Sequence, residues 1–183
     1  MKFTDENLAI LIIEPDSQFE DCEFSGINFT DYKFKNTSFM NCNLTNCNLA
    51  NQDFTNATIR DVQFESCNLM GIDWRKLKRL EGPIFNKCKL NFSSFEGRKL
   101  KKVKVLDCLA IDVDFSDTDL TGSQFSNTIL GGTSFNRATL INSDFRSAKD
   151  YLFDLRTTKV KGMKLSIPEA IKLITVLGAE IEF

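Results

Sequence analysis

From residue 19 onward every fifth position is large and apolar: Phe19, Phe24, Phe29, Phe34, Phe39, Leu44, Leu49, Phe54, Ile59, Phe64, Leu69 and Trp74. A second series runs Leu80, Phe85, Leu90, Phe95, Leu100, Val105, Ala110, Phe115, Leu120, Phe125, Leu130, Phe135, Leu140 and Phe145, with Ala110 its one small member. Neither the period of about 3.6 of a helix nor the period of about 2 of a strand sustains this spacing. The register slips by one residue between the two series, which places a single insertion within residues 75–79, Arg-Lys-Leu-Lys-Arg. Two residues before each large centre the side chain is mostly small, as at Ser17, Thr37, Ala57, Ser93, Thr118 and Ser143.

The spacing in Cys42-Asn43-Leu44-Thr45-Asn46, Cys47-Asn48-Leu49-Ala50-Asn51 and Thr118-Asp119-Leu120-Thr121-Gly122 resembles the pentapeptide-repeat family, whose consensus is A-(D/N)-L-x-x. The resemblance spans roughly residues 17–149. It implies an all-β fold, a right-handed quadrilateral β-helix with four short sides per coil. Centre and small residues point inward and the other three outward. Physical chemistry agrees with that shape. Large and small side chains alternate, so they fill a narrow interior. Asn, Asp, Gly and Ser recur where the corners need turn chemistry. Twenty-six centres on four sides make about 6.5 coils, or about 31 Å of rod at the spacing between strands. Such a stack exposes β-edges at both ends, which must be capped.

The expected organisation is an N-terminal cap over residues 1–16, the β-helix over 17–149 and a C-terminal cap over 150–183. Leu8–Ile13 would cover the first coil. Ser166-Ile167-Pro168-Glu169 has the pattern of a capping box, with Ser166 as N-cap and Glu169 three residues on. Ile167, Ala170, Ile171, Ile174 and Leu177 then follow helical spacing, and Gly178 is a natural stop. The predicted helix covers about 167–177, with Ala179–Phe183 as a short terminal strand. Leu173 and Val176 widen the apolar surface, which suggests two contacts: the last coil and a second subunit. This tail, with Lys161-Gly162-Met163-Lys164-Leu165 before it, is similar to the C-terminus of the Qnr-type quinolone-resistance subgroup. That resemblance implies a homodimer through the C-terminal end and binding to DNA gyrase or topoisomerase IV by imitation of duplex DNA.

Composition now takes its meaning from the repeat. Thirteen of the 17 Phe lie on the two series, and all six Cys (Cys22, Cys42, Cys47, Cys67, Cys88 and Cys108) lie on the small positions. A disulfide or metal set has no reason to keep a five-residue phase, whereas a small, weakly polar core position does. Cysteines twenty residues apart, such as Cys47 and Cys67, would stack on adjacent coils as a thiol ladder. There is no His, which removes the commonest general acid–base group and metal ligand. With no phosphate-binding fingerprint and no nucleophile–base set, an enzyme, a cofactor and a metal are not expected. The longest apolar run, residues 8–13, is too short for a membrane span and lacks the flanks of a signal peptide, so a cytoplasmic protein is expected.

The net charge of −2 conceals a strong alternation. Residues 1–74 carry 4 basic and 12 acidic residues, net −8; residues 75–104 carry 11 and 2, net +9; residues 105–149 carry 3 and 6, net −3. The coil over 15–149 has 17 acids and 17 bases, so it is neutral as a whole. A duplex of the same length would carry roughly 18 negative charges, so phosphate mimicry along the whole rod fails on magnitude. It survives locally, in the N-terminal coils and in a set formed by Asp107, Asp112, Asp114, Asp117 and Asp119. Residues about twenty apart share a side, which gives a candidate basic stripe of Arg60, Lys78, Arg79, Arg98 and Lys99, with Lys101, Lys102 and Lys104 beside its last rung. Lys78 and Arg98 fall on nominally inward positions, where a charge is expensive, so an outward bulge of the backbone is expected there. Two functions follow: a non-enzymatic partner of a type II topoisomerase without direct DNA binding, or a general protein-interaction scaffold that uses the basic stripe.

Overall fold

The structure is a computed structural model that describes residues 1–4, 13–14, 16–180 and 182, Pro168 without its side chain. The expected cap residues Leu8–Ile12 therefore lie outside the described residues, as do Ile181 and Phe183 of the expected terminal strand; Ala179 and Glu180 are not in a strand.

The chain winds as a four-sided parallel β-solenoid. The first side is a six-stranded sheet in the order β1 (Lys2–Thr4), β3 (Glu23–Ser25), β5 (Asn43–Thr45), β7 (Gln63–Glu65), β9 (Ile84–Asn86) and β10 (Lys104–Leu106). The fourth side is β2 (Gln18–Glu20), β4 (Ser38–Met40), β6 (Thr58–Arg60) and β8 (Arg79–Glu81). The second and third sides pair through single-residue bridges: Asn28–Asn48–Asn68–Lys89–Leu109–Ile129–Lys149 on the second, and Asp73–Ser94–Asp114–Ser134 on the third. Bridge pairing runs past residue 149, through Thr139–Lys159 and Asp144–Lys164, so a further turn of coil underlies the C-terminal helix.

Each large centre is buried, and its backbone bonds upward to the next turn, as Phe95 N–H does to Asp114 O at 2.7 Å. On the third side six rings stack in one column: Phe34, Phe54, Trp74, Phe95, Phe115 and Phe135. Their centroids are 4.9–6.0 Å apart and adjacent planes lie within 20°. The rise between coils is close to a ring-stacking distance, so one coil's Phe orients the next. Corners hold residues in the left-handed region, mostly Asn, Asp and Gly, because a quarter-turn every five residues requires a positive φ.

The small inward positions are donors as well as spacers. Cys42 Sγ donates to Phe19 O, Cys67 Sγ to Leu44 O, Ser93 Oγ to Leu69 O and Thr118 Oγ1 to Phe95 O, at 2.9–3.4 Å. Each satisfies the carbonyl of a centre one turn below, which the corner leaves short of partners. The six thiols are free, and four of them, Cys47, Cys67, Cys88 and Cys108, belong to one column.

The insertion is absorbed at Trp74–Lys76, a single 3₁₀ turn capped by Asp73, whose carboxylate accepts from Arg75 N–H at 3.1 Å. Leu77 is buried and takes the inward position above Ala57. Lys78 becomes the extra residue and is exposed, and both Lys78 N–H and Arg79 N–H point to Ala57 O, which is the outward bulge expected at Lys78. At Arg98 the expected bulge is absent: Asp119 N–H bonds to Arg98 O at 2.9 Å, in register with the coil. The guanidinium instead turns toward the 3₁₀ segment and donates to Trp74 O, Arg75 O and Leu77 O. Trp74 O also accepts from Leu77 N–H at 3.3 Å, and the five fixed N–H donors of the guanidinium reach three carbonyls at once, which one hydroxyl could not.

Helix α1 (Ile167–Thr175) closes the C-terminal end. Ser166 is its N-cap, but the hydroxyl makes no cap bond, and Glu169 pairs with Lys172 at 3.0 Å rather than reaching back. Pro168 has removed one of the two N–H groups that such a cap uses. Leu173 is the buried contact with the rod, whereas Ile167, Ile174 and Leu177 remain exposed.

Candidate interaction surfaces

Outward side chains on a solenoid sit at fixed addresses, so surfaces are built from residues about twenty apart. The five aspartates at 107–119 share one turn, and that turn carries them around the rod. Asp107, Asp112 and Asp117 occupy three successive corners at φ 53, 54 and 57°. Asp114 lies on the third side and Asp119 on the fourth. Their carboxylates serve local structure. Asp114 accepts from Ser116 N–H at 2.9 Å and Asp119 from Thr121 N–H at 3.1 Å. Asp117 pairs with Arg137 at 2.6 Å, and that guanidinium holds its carboxyl below the usual range. The structure therefore brings these residues into a belt rather than onto one face.

The basic stripe is similarly divided. Glu81 stands over Arg60 in the β6–β8 pairing, and Arg79 pairs with Glu81 at 3.4 Å. Arg60 lies 3.9 Å from Asp61, and Lys101 pairs with Asp119 at 3.4 Å. Arg98 is committed to backbone carbonyls, and burial lowers its pKa. Lys104 belongs to β10 on the first side, not to the stripe. Lys78, Lys99 and Lys102 remain as exposed cations in no ion pair among the described residues. Periodicity by itself overstated the stripe, because it places residues on a side without saying which neighbours neutralise them.

The N-terminal turn has the opposite character. Glu14, Asp16, Glu20, Asp21 and Glu23 are all exposed within ten residues of chain. Only Lys2, 4.0 Å from Glu23, approaches this group in an ion pair among the described residues. At the far end α1 and the turn after it present Ile167, Ile174, Val176 and Leu177 outward, with Ala170 and Ile171 half-buried. No group of His, Cys, Asp or Glu among the described residues is arranged to hold a metal ion. No helix among them is long and apolar enough to cross a membrane.

A four-sided parallel solenoid with five-residue sides defines the class of protein. Family models match the sequence as a pentapeptide repeat region over residues 15–81 and as pentapeptide repeats over 118–149. The chain belongs to the pentapeptide-repeat family, whose members form right-handed β-helices. A search of curated proteins finds no match. Among solved structures, the fold is similar to a trypsin-treated form of QnrB1, a plasmid-mediated fluoroquinolone resistance protein. The TM-score is 0.60 at 17% identity, covering 100% of this chain and 92% of that one. HetL, a pentapeptide-repeat protein involved in heterocyst differentiation regulation from the cyanobacterium Nostoc, gives 0.34 at 14% identity, covering 86% and 89%.

Proposed function

We propose that the protein is a non-enzymatic binding protein that engages a type II topoisomerase, DNA gyrase or topoisomerase IV, and modulates its sensitivity to fluoroquinolones. The observation that carries this reading is the likeness of the whole chain's rod to that of a trypsin-treated fluoroquinolone resistance protein. The interior is filled by side chains, so contact depends on the outer surface. The carboxylates of the N-terminal turn, Glu14, Asp16, Glu20, Asp21 and Glu23, are the surface offered to a basic DNA-binding saddle. The apolar stripe left exposed on α1 is the seam of a homodimer, which would double the length of rod available.

A gyrase supercoiling assay with and without fluoroquinolone tests this directly. Protection or inhibition is expected at micromolar protein, with a loss on neutralising Glu20, Asp21 and Glu23 together. Unchanged supercoiling in both arms would remove the topoisomerase from the account. A second reading, a general scaffold for a different, acidic protein, is favoured by the three unneutralised lysines Lys78, Lys99 and Lys102. Reversing their charge would then abolish partner capture while leaving the gyrase assay unaffected.

A further inference from the structure

The second side carries a feature that the repeat does not require. Its corner column reads Asn51, Gly71, Phe92, Asp112 and Gly132, all at positive φ. Phe92 has φ 62°, and it is the one large apolar side chain in that conformation among the described residues. An aromatic residue there is strained, and every neighbour in the column shows what the corner prefers. The strain wins no burial, because Phe92 is 61% exposed and enters no aromatic pair among the described residues. Its N–H bonds to Ile111 O at 3.1 Å, which places it at the edge of a wider apolar surface. Leu109 and Ile111 flank Ala110 on the next turn, both outward and half-exposed, and Ile129 bridges Leu109 from the turn above. Along the bridge column the outward residues run Lys89, Leu109, Ile129, Lys149. The two lysines are exposed and form no ion pair among the described residues. Three rises between them make about 14 Å.

We propose that this side is a docking surface for an amphipathic helix of another protein, with an apolar stripe bracketed by carboxylates about nine residues apart. At about 1.5 Å per residue that spacing matches the lysine separation. Charge argues for a foreign helix over a second copy of this side. In a twofold pairing of the same face, Lys89 of one protomer would meet Lys149 of its partner, and like charges repel. The side faces outward rather than exposing a sheet edge, so strand addition is not available to the partner. Phe92 is the anchor, its strain retained because the exposed ring enters the partner's stripe.

The test uses fluorescein-labelled designed helical peptides of eighteen residues and the full-length protein, read by anisotropy. One peptide carries a Leu/Ile stripe bracketed by Glu, a second replaces those Glu with Lys, and a third has a polar stripe. The Glu-bracketed peptide is expected to bind at least ~10-fold tighter than either control, a difference of about 1.4 kcal/mol. Phe92→Asn should lose that binding while melting at the same temperature or higher, because Asn suits the corner. The Lys89→Glu/Lys149→Glu variant should reverse the preference between the two charged peptides. Equal binding of all three peptides, or full binding by Phe92→Asn, overturns the proposal. So does self-association of the wild type that Phe92→Asn abolishes, which would make the occupant a second copy.

Discussion

Arg98 does with a guanidinium what Cys67 or Thr118 does with a thiol or a hydroxyl: it supplies donors to carbonyls in the turn beneath. Because it serves three oxygens at once, Arg98→Met should cost about 2–4 kcal/mol, and Arg98→Lys should recover part of it. Urea midpoints would measure both, and a loss near zero for the Met variant would show that water replaces the guanidinium freely. Titration follows the same local logic. The Thr55 hydroxyl and the Arg75 and Arg146 guanidiniums hold Asp53, Asp73 and Asp144 below the usual carboxylate range. A lowered folded pKa gives stability that is present above the unfolded value of about 3.9 and is lost as pH falls through the folded one. The hydrogen bond with Cys108, with burial, pushes the Cys88 thiol up to about 12. A raised folded pKa gives stability that is present below the unfolded value of about 8.5 and is lost as pH rises toward the folded one. With no His in the chain, stability should be flat from about pH 5 to 8 and fall on either side. Cys88→Ser should make the alkaline limb less steep without abolishing it, because burial also raises Cys42 and Tyr151, and a slope inside the plateau would contradict the assignment.

At the scale of the corner, one turn dictates the residue on the next. A Cβ built on Gly132 would overlap Asp112 Oδ1, and one on Gly71 would overlap Asn51 Oδ1. The Asx side chain of one turn fills the space that the next turn must therefore leave empty, and both glycines also have positive φ. Gly132→Ala should cost about 1–3 kcal/mol. In an Asp112→Gly background the overlap disappears and only the backbone strain remains, so a double-mutant cycle in thermal unfolding should show coupling between the two sites. Additive losses would mean that the carboxylate simply swings aside. These rules mark what the sequence disclosed and what it withheld. Centres and corners were legible because a five-residue phase fixes which way a side chain points. The insertion was legible as a slip in phase but not in form: Leu77 turned inward and Lys78 outward because burying a leucine is favourable and burying an ammonium is not. The aspartates at 107–119 looked like a cluster because they are close in sequence, yet one turn of coil distributes them around the rod. Phe92 was hidden because it lies off both apolar series.

At the scale of the whole rod, only the ends interrupt the repetition. Helix α1 contributes one deeply buried side chain, Leu173, and leaves Ile174 and Leu177 at 44% and 48% exposure. If these residues form the seam, light scattering should give a dimer for the wild type and a monomer for Ile174→Asp/Leu177→Asp. The variant's coil should keep its circular dichroism, because neither residue supports the last turn. A wild-type monomer would reduce the helix to a lid. The N-terminal half is acidic and the middle basic, so association with a charged partner should weaken as salt rises.

The ring column of the third side has one member unlike the rest. Trp74 is the chain's single tryptophan, fully buried near mid-rod, with ring planes 11° from Phe54 and 8° from Phe95. Each turn touches only its neighbours, so melting that begins at an end reaches this indole late. Its fluorescence is thus a built-in optical gauge of the middle of the rod, while far-ultraviolet dichroism averages over all turns. Where the two signals part on heating, the gap measures how far the rod has frayed before its centre gives way.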